Sequence, residues 1–291
     1  MDILTNYTFQ IVALGSVILA VAAAPVGAFS VYKGQSLIGD AIGHSTFPGI
    51  ILAYMAFATR SPVILLAGAI LAGAASYALI QLAHRDKRLG LDANLAIFLS
   101  GFFGLGMALK SFIQGNPDYA GASQAGLGTY IFGQAAYMLE ADVLLIAAIS
   151  ALVLTLLLLF YKELKLFVFD AEYAEVVGLP CRLLNSLLLV MTIAVIGIGI
   201  KAVGAILISS FLIIPCVAAN QWSNNFARVL LLSSLIGAVS ALVGTYISTL
   251  EQGMSTGPSI ILVASLIAFF SIVFGTKGIL GRVLKRRRTH G

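Results

Sequence analysis

Charge is what this chain has least of. Only 10% of its 291 residues are charged while 60% are hydrophobic, whereas a soluble domain carries about a quarter charged residues. Apolar runs recur from Phe9 to Phe274, and no polar stretch between them is long enough to fold separately. This shortage excludes both a water-soluble enzyme and a soluble domain hung on one anchor. Cysteine is almost missing too. Cys181 and Cys216 fall in different segments with no C-x-x-C spacing, which indicates neither a disulfide framework nor a zinc cage. A phosphate-binding loop is also lacking. "GFFGLGM" at 101–107 has its glycines at the right interval, but Met107 stands where lysine is required, so the stretch reads as helix packing. The first residues carry no positive cluster and no small-residue cut site, so no secretory signal is expected. The net charge of +5 sits in loops and at the C-terminus, where Lys and Arg hold the cytoplasmic side of a membrane protein, and it does not call for nucleic acid.

What remains is an all-α integral membrane protein, a polytopic helical bundle forming one domain over 1–291. A spanning helix needs about 20 mostly apolar residues, and candidates lie at roughly 9–31, 36–58, 62–83, 93–113, 141–161, 184–201, 203–220, 227–249 and 258–276. The 203–220 stretch is short and holds Pro215, so the sequence allows eight or nine transmembrane helices. The basic clusters at 84–88, 161–182 and 285–288 share one side only if 203–220 crosses. That choice places the N-terminus outside and the basic tail, 282–291, in the cytoplasm.

One loop carries its own instructions. In "FDAEYAEVVGLPCR", 169–182, Asp170 can cap the first-turn amides and Glu172 sits near the positive helix end. Tyr173, Val176 and Val177 share a face, Gly178 suits a left-handed cap, and Pro180 prevents continuation. A helix this short needs a surface to lie on, either the bundle or bilayer or a groove in a partner protein, and its acidic bias favours the groove.

The chemistry sits in "GDAIGHSTFPG", 39–49. A carboxylate at the bilayer centre costs at least ~2.5 kcal/mol, and such residues normally face the bundle interior and mark function. On a helix, Asp40 and His44 lie ~40° apart on one face and ~6 Å apart along the axis, within reach of one ion. Carboxylate oxygen with imidazole nitrogen suits Mn²⁺, Fe²⁺ or Zn²⁺. Pro48 lacks an amide hydrogen, and a helix break at Pro48 and Gly49 is expected beside a cavity. A proton relay uses the same residue types, and a mutual hydrogen bond or a bundle staple would also satisfy the pair. Two ligands do not complete a coordination shell, so water, other segments or a second copy across a two-fold axis must supply the rest.

Other polar residues read as placement. Lys110 and Lys201 snorkel from span ends, Asp92 caps a helix, and Glu140 and Asp142 face the interface. Glu251 is a loop acid, His84 belongs to a basic loop, and His290 lies in the tail. An ion site without an ATPase motif must run on a gradient or borrow ATP hydrolysis from another subunit.

"KGQSLIGDAIGHSTFPGI", "FDAEYAEVVGLPCRLLN", "AVGAILISSFLIIPCVAAN" and "STGPSIIL" resemble, in that order, the blocks of the ABC-3 family, the membrane permease subunits of bacterial manganese, zinc and iron ABC importers. The likeness runs from about Lys33 to Phe274 by span order. It departs where Gly43 replaces the family's frequent Ser, and where "EQGMSTG" replaces the usual outer turn. The resemblance implies a transport subunit that is not itself an enzyme and binds no permanent cofactor, the divalent metal being its cargo. The implied partners are a second permease, identical or paralogous, two cytoplasmic ATPase subunits and an extracytoplasmic metal-binding protein. It further implies that 170–178, with Asp170, Glu172, Tyr173, Val176, Val177 and Gly178, is the helix coupling to the ATPase. On the same ground Asp40 and His44 match the family's metal-coordinating pair. A gradient-driven or proton-coupled ion transporter without an ATPase is the competing class.

Overall fold

With no water in the bilayer core, every backbone N–H and C=O must pair within its own segment, and apolar sequence of this length satisfies that as helix. The computed structural model describes residues 6–59, 61–84, 90–116, 119, 138–250 and 254–280. Among them run α1 (Tyr7–Tyr32), α2 (Ile38–Phe57), α3 (Pro62–His84), α4 (Leu91–Gly115), α5 (Glu140–Leu159), α6 (Tyr161–Phe169), α7 (Ala171–Val176), α8 (Cys181–Ala202), α9 (Ala205–Asn220), α10 (Phe226–Leu250) and α11 (Thr256–Phe274). Seven helices (α1, α3, α4, α5, α8, α10 and α11) are long and apolar enough to cross a membrane. α2 and α9 complete the set of nine apolar ranges read from the sequence, and the chain is a multi-pass membrane protein. The basic tail, Glu251 and His290 lie outside the described residues, as do the side chains of His84, Asp92 and Lys201.

One end of the bundle gathers the short helices. α6 buries Leu164 and Phe167, one turn apart, against the long helices. The ring of Phe169, at its end, packs against Tyr32 at 5.3 Å and Phe226 at 5.1 Å. Phe29 and Tyr161 complete this aromatic cluster around Phe226. Lys33, just past α1, lies over the ring of Phe167 at 4.7 Å and donates to Asn185 of α8. Asn185 in turn donates to Tyr77 of α3, as does Gln81. Burial pushes the Lys33 ammonium down to about 8, because the charged form loses hydration there. Tyr32 donates to Asn220, and Lys277, beyond α11, also reaches Asn220. The starts of α8 and α10 and the ends of α1, α3, α5, α9 and α11 therefore share this end of the bundle.

The helices meet through small residues, as expected where lipid gives no hydrophobic drive for association. α2 is the most enclosed, with α3 and α4 flanking it. Pro48 and Gly49 do not break it: α2 is continuous from Ile38 to Phe57. The expected opening is absent because both residues are tightly packed. A Cβ on Gly49 would overlap the Gly68 carbonyl oxygen and Ala72, and one on Gly106 would overlap Phe47 and come within 3.1 Å of Pro48 Cδ. Neighbouring helices thus hold the proline-bearing turn in helical geometry. Asp142, expected at the interface, is instead buried at 6% exposure. Its carboxylate accepts from the Leu139 amide at the start of α5, while Tyr7 donates to Glu140 beside it.

Gly49→Ala must separate α2 from α3 and should cost about 1–3 kcal/mol. The check is thermal unfolding in detergent, where the variant should melt below the parent protein.

Candidate metal site

Asp40 and His44 are brought together as the helical spacing requires. His44 Nε2 lies 3.5 Å from Asp40 Oδ1, with the histidine side chain 12% and the aspartate 30% exposed. That separation is long for a hydrogen bond. It matches two donors on one ion, since two bonds of about 2.1 Å at a tetrahedral angle stand roughly 3.4 Å apart. Imidazole and carboxylate together provide one neutral nitrogen and one anionic oxygen, which suits a divalent transition metal. His44 packs edge-on against Phe103 of α4 with ring centroids 4.9 Å apart. Its Nδ1 is buried and meets no partner among the described residues.

The depth of the pair follows from its neighbours. Ser209 of α9 donates to Asp40 Oδ1 at 2.9 Å. Asn220, at the short-helix end of the bundle, is eleven positions further along the same helix, or ~16 Å at 1.5 Å per residue. A hydrocarbon core is about 30 Å thick, so the carboxylate lies near mid-depth although it is in the first turn of α2. This placement also puts Asp40 at the positive end of a helix dipole, which favours its charge.

α2 is fixed around the pair by hydroxyls turned inward. Ser45 donates to the Ala41 carbonyl at 2.6 Å and lies 2.7 Å from Ser76 of α3, and Thr46 donates to the Gly43 carbonyl. A Cβ on Gly39 would come within 3.1 Å of Leu212 Cδ1, so α9 approaches the helix on that side. Sequence reading found Asp40 and His44 but not Ser209 or Phe103. Ser209 had one available signal, a pair of serines inside the apolar run "ILISSFL"; Phe103 had none. A pocket of about 40 Å³ lies elsewhere, lined by Ile50, Leu65, Ile146 and Ile198. Its one charged lining residue, Asp142, is the carboxylate that caps α5. No group of three or more His, Cys, Asp and Glu is found among the described residues.

The capped loop is built as its sequence specifies. The Asp170 carboxylate accepts from the Tyr173 amide at 2.9 Å. At the other end Gly178 has φ +85°, the Gly178 amide donates to Glu175 O, and the Leu179 amide donates to Ala174 O. Those two bonds and the left-handed glycine make a Schellman closure. The helix itself is six residues, Ala171–Val176, inside the 170–178 read from sequence. Ala174 is fully buried, while Tyr173, Val176 and Val177 are 55%, 84% and 55% exposed, so the apolar face points away from the chain's own bundle.

Residues 5–275 match the ABC 3 transport family. The zinc transport system membrane protein TroC of Treponema pallidum (strain Nichols) is 39% identical over 289 residues, covering 99% of this chain and 96% of TroC. The manganese transport system membrane protein MntC of Bacillus subtilis (strain 168) is 38% identical over 96% of this chain and 65% of MntC. The solved structure of PsaBC from Streptococcus pneumoniae in complex with Fab superposes with a TM-score of 0.85 at 26% identity, covering 98% of this chain and 96% of that one. A family match over nearly the whole length, carried by relatives at this level of identity, settles the membership: the chain belongs to the ABC 3 transport family.

Proposed function

We propose that this chain is the permease subunit of an ATP-binding-cassette importer that carries a divalent transition-metal ion, Mn²⁺, Zn²⁺ or Fe²⁺, into the cytoplasm. The observation that carries this reading is the Asp40–His44 pair, with its donors 3.5 Å apart near mid-depth. Family membership and the zinc and manganese transport systems named for the relatives support it. Chain geometry favours nine crossings, α1 to α5 and α8 to α11, because the starts and ends that meet around Phe226 and Asn220 alternate along the chain. The positive-inside rule then makes that end cytoplasmic and leaves the N-terminus outside.

α7 serves as the coupling helix. Its exposed Tyr173, Val176 and Val177 would enter a groove on a cytoplasmic ATPase, which supplies the hydrolysis this subunit does not perform. A second permease copy or paralogue completes the pathway, and an extracytoplasmic binding protein delivers the ion. Asp40 and His44 replace part of the travelling ion's hydration shell, which lowers the cost of taking a divalent charge through low dielectric. Two protein donors per subunit hold the ion loosely enough to let it go. ATP-driven movement of α7 then re-orients the path between the two sides.

Asp40→Ala and His44→Ala should each lower initial uptake of Mn²⁺ or Zn²⁺ by cells at least ~10-fold; parental uptake in both variants would refute the assignment. Replacing Tyr173 with Ala and Val176 with Asp should abolish co-purification with the ATPase while the permease keeps its elution volume in detergent. A proton-coupled carrier would instead lose uptake on addition of a protonophore at constant ATP, and would copurify with no ATPase.

A further inference from the structure

Ser209 lies outside every feature that marked the site in the sequence, yet it makes the shortest polar contact to the metal pair. Its hydroxyl donates to Asp40 Oδ1 at 2.9 Å, the same oxygen that faces His44 Nε2 at 3.5 Å. A carboxylate oxygen has two lone pairs. The serine takes one, and the other is left towards the histidine, where an ion would sit. The last torsion of an aspartate is soft and roughly two-fold, so without this bond the carboxylate plane would be free to swing away from His44.

The position of Ser209 is itself set by packing. α9 starts from Gly204, whose φ of +99° is open to glycine alone in practice. One turn after Ser209, Leu212 is wedged between two helices. A Cβ on Gly27 of α1 would overlap the Leu212 backbone, and a Cβ on Gly39 of α2 would come 3.1 Å from its Cδ1. The serine is 5% exposed. The hydroxyl is therefore delivered to Asp40 by a helix whose register against α1 and α2 is fixed by glycine.

We infer that Ser209 is a positioning residue of the cation site: it holds the Asp40 carboxylate in the orientation that shares an ion with His44. This rests on the reading of Asp40 and His44 as ligands. Partners that orient a metal ligand usually matter 10- to 100-fold in affinity, so the effect belongs in the permease's own affinity for the ion, read apart from delivery by the binding protein.

The test is Mn²⁺ titration of the purified permease with its ATPase subunits and without the binding protein, normalised to folded permease by size exclusion. Ser209→Ala should raise the dissociation constant about 10-fold. Ser209→Thr, which keeps the hydroxyl, should return it to within about 2-fold of the parent. Overturning results are an unchanged dissociation constant in Ser209→Ala, or equal defects in the Ala and Thr variants, which would assign the effect to packing. Asp40→Ala, run alongside, separates the two readings. If it abolishes binding while Ser209→Ala behaves as parent, only the serine's role is lost; if it leaves binding intact, the ligand assignment fails and takes this inference with it.

Discussion

A carboxylate held ~16 Å from the polar end of the bundle is the constraint around which the rest is arranged. Such a charge survives only where something other than water compensates it. Three groups do so here, two from α2 and one from α9. The first turn of α2 contributes its dipole, because Asp40 is the third residue of that helix. α9 contributes the Ser209 hydroxyl. The next turn of α2 contributes His44, held at ion-sharing rather than hydrogen-bonding distance. Compensation by polar atoms requires backbones to come close, and that explains the glycines. Gly27, Gly39, Gly49, Gly68 and Gly106 each stand where a methyl group would meet a neighbouring helix. Small residues at these contacts do the work that hydrophobicity does in water.

The same economy governs the opposite requirement, that the site respond to events outside the membrane. Asp40 is eight residues from Tyr32 and seven from Lys33 along the chain. Those two are held by the last turn of α6, through the Tyr32–Phe169 and Lys33–Phe167 contacts. α7 follows α6 directly, and the intervening Asp170 has a non-helical backbone with φ −150° and ψ 85°. Buried aromatic contacts and a cation over a ring are stiff compared with exposed side chains. A displacement of α6 therefore bears on the turn that begins α2. The apolar residues on α7 point outward from this joint, so on the proposed coupling role the docking face and the residues packed against the end of α1 belong to one continuous stretch, 161–178.

Much of this was legible in the sequence because the governing signals are local. Each of the nine apolar runs read from the sequence falls on a helix among the described residues, since backbone pairing in lipid leaves little alternative. Asp170, Gly178 and Pro180 wrote the ends of α7 in residues whose backbone preferences are narrow. Asp40 and His44 announced themselves by being ionisable where charge is costly. What could not be read was anything set by one helix against another. Pro48 suggested a break because a proline removes one bond and crowds one carbonyl. The turn stays helical because Gly49, Gly68 and Gly106 let α3 and α4 close around it, contacts that no linear pattern encodes. Ser209 is 169 residues from its partner, and Asp142 looked interfacial because its burial depends on α5 meeting α1 and α8.

The thinness of the donor set is itself informative. A structural zinc site closes its shell with four side chains and contributes folding energy. Among the described residues of this chain, no three His, Cys, Asp or Glu come together, and Ser209 adds only a neutral hydroxyl. On the proposed reading, the described residues of one chain replace part of an ion's hydration and leave the rest to water or another subunit. An ion so held keeps water or takes ligands from another subunit, and its escape breaks few bonds. A site of that kind trades affinity for release, which suits the passage proposed for the ion. The covering of α2 by α3, α4 and α9 supplies what sparse ligands do not, a fixed geometry in which, on the proposed reading, two donors per chain guide an ion without retaining it.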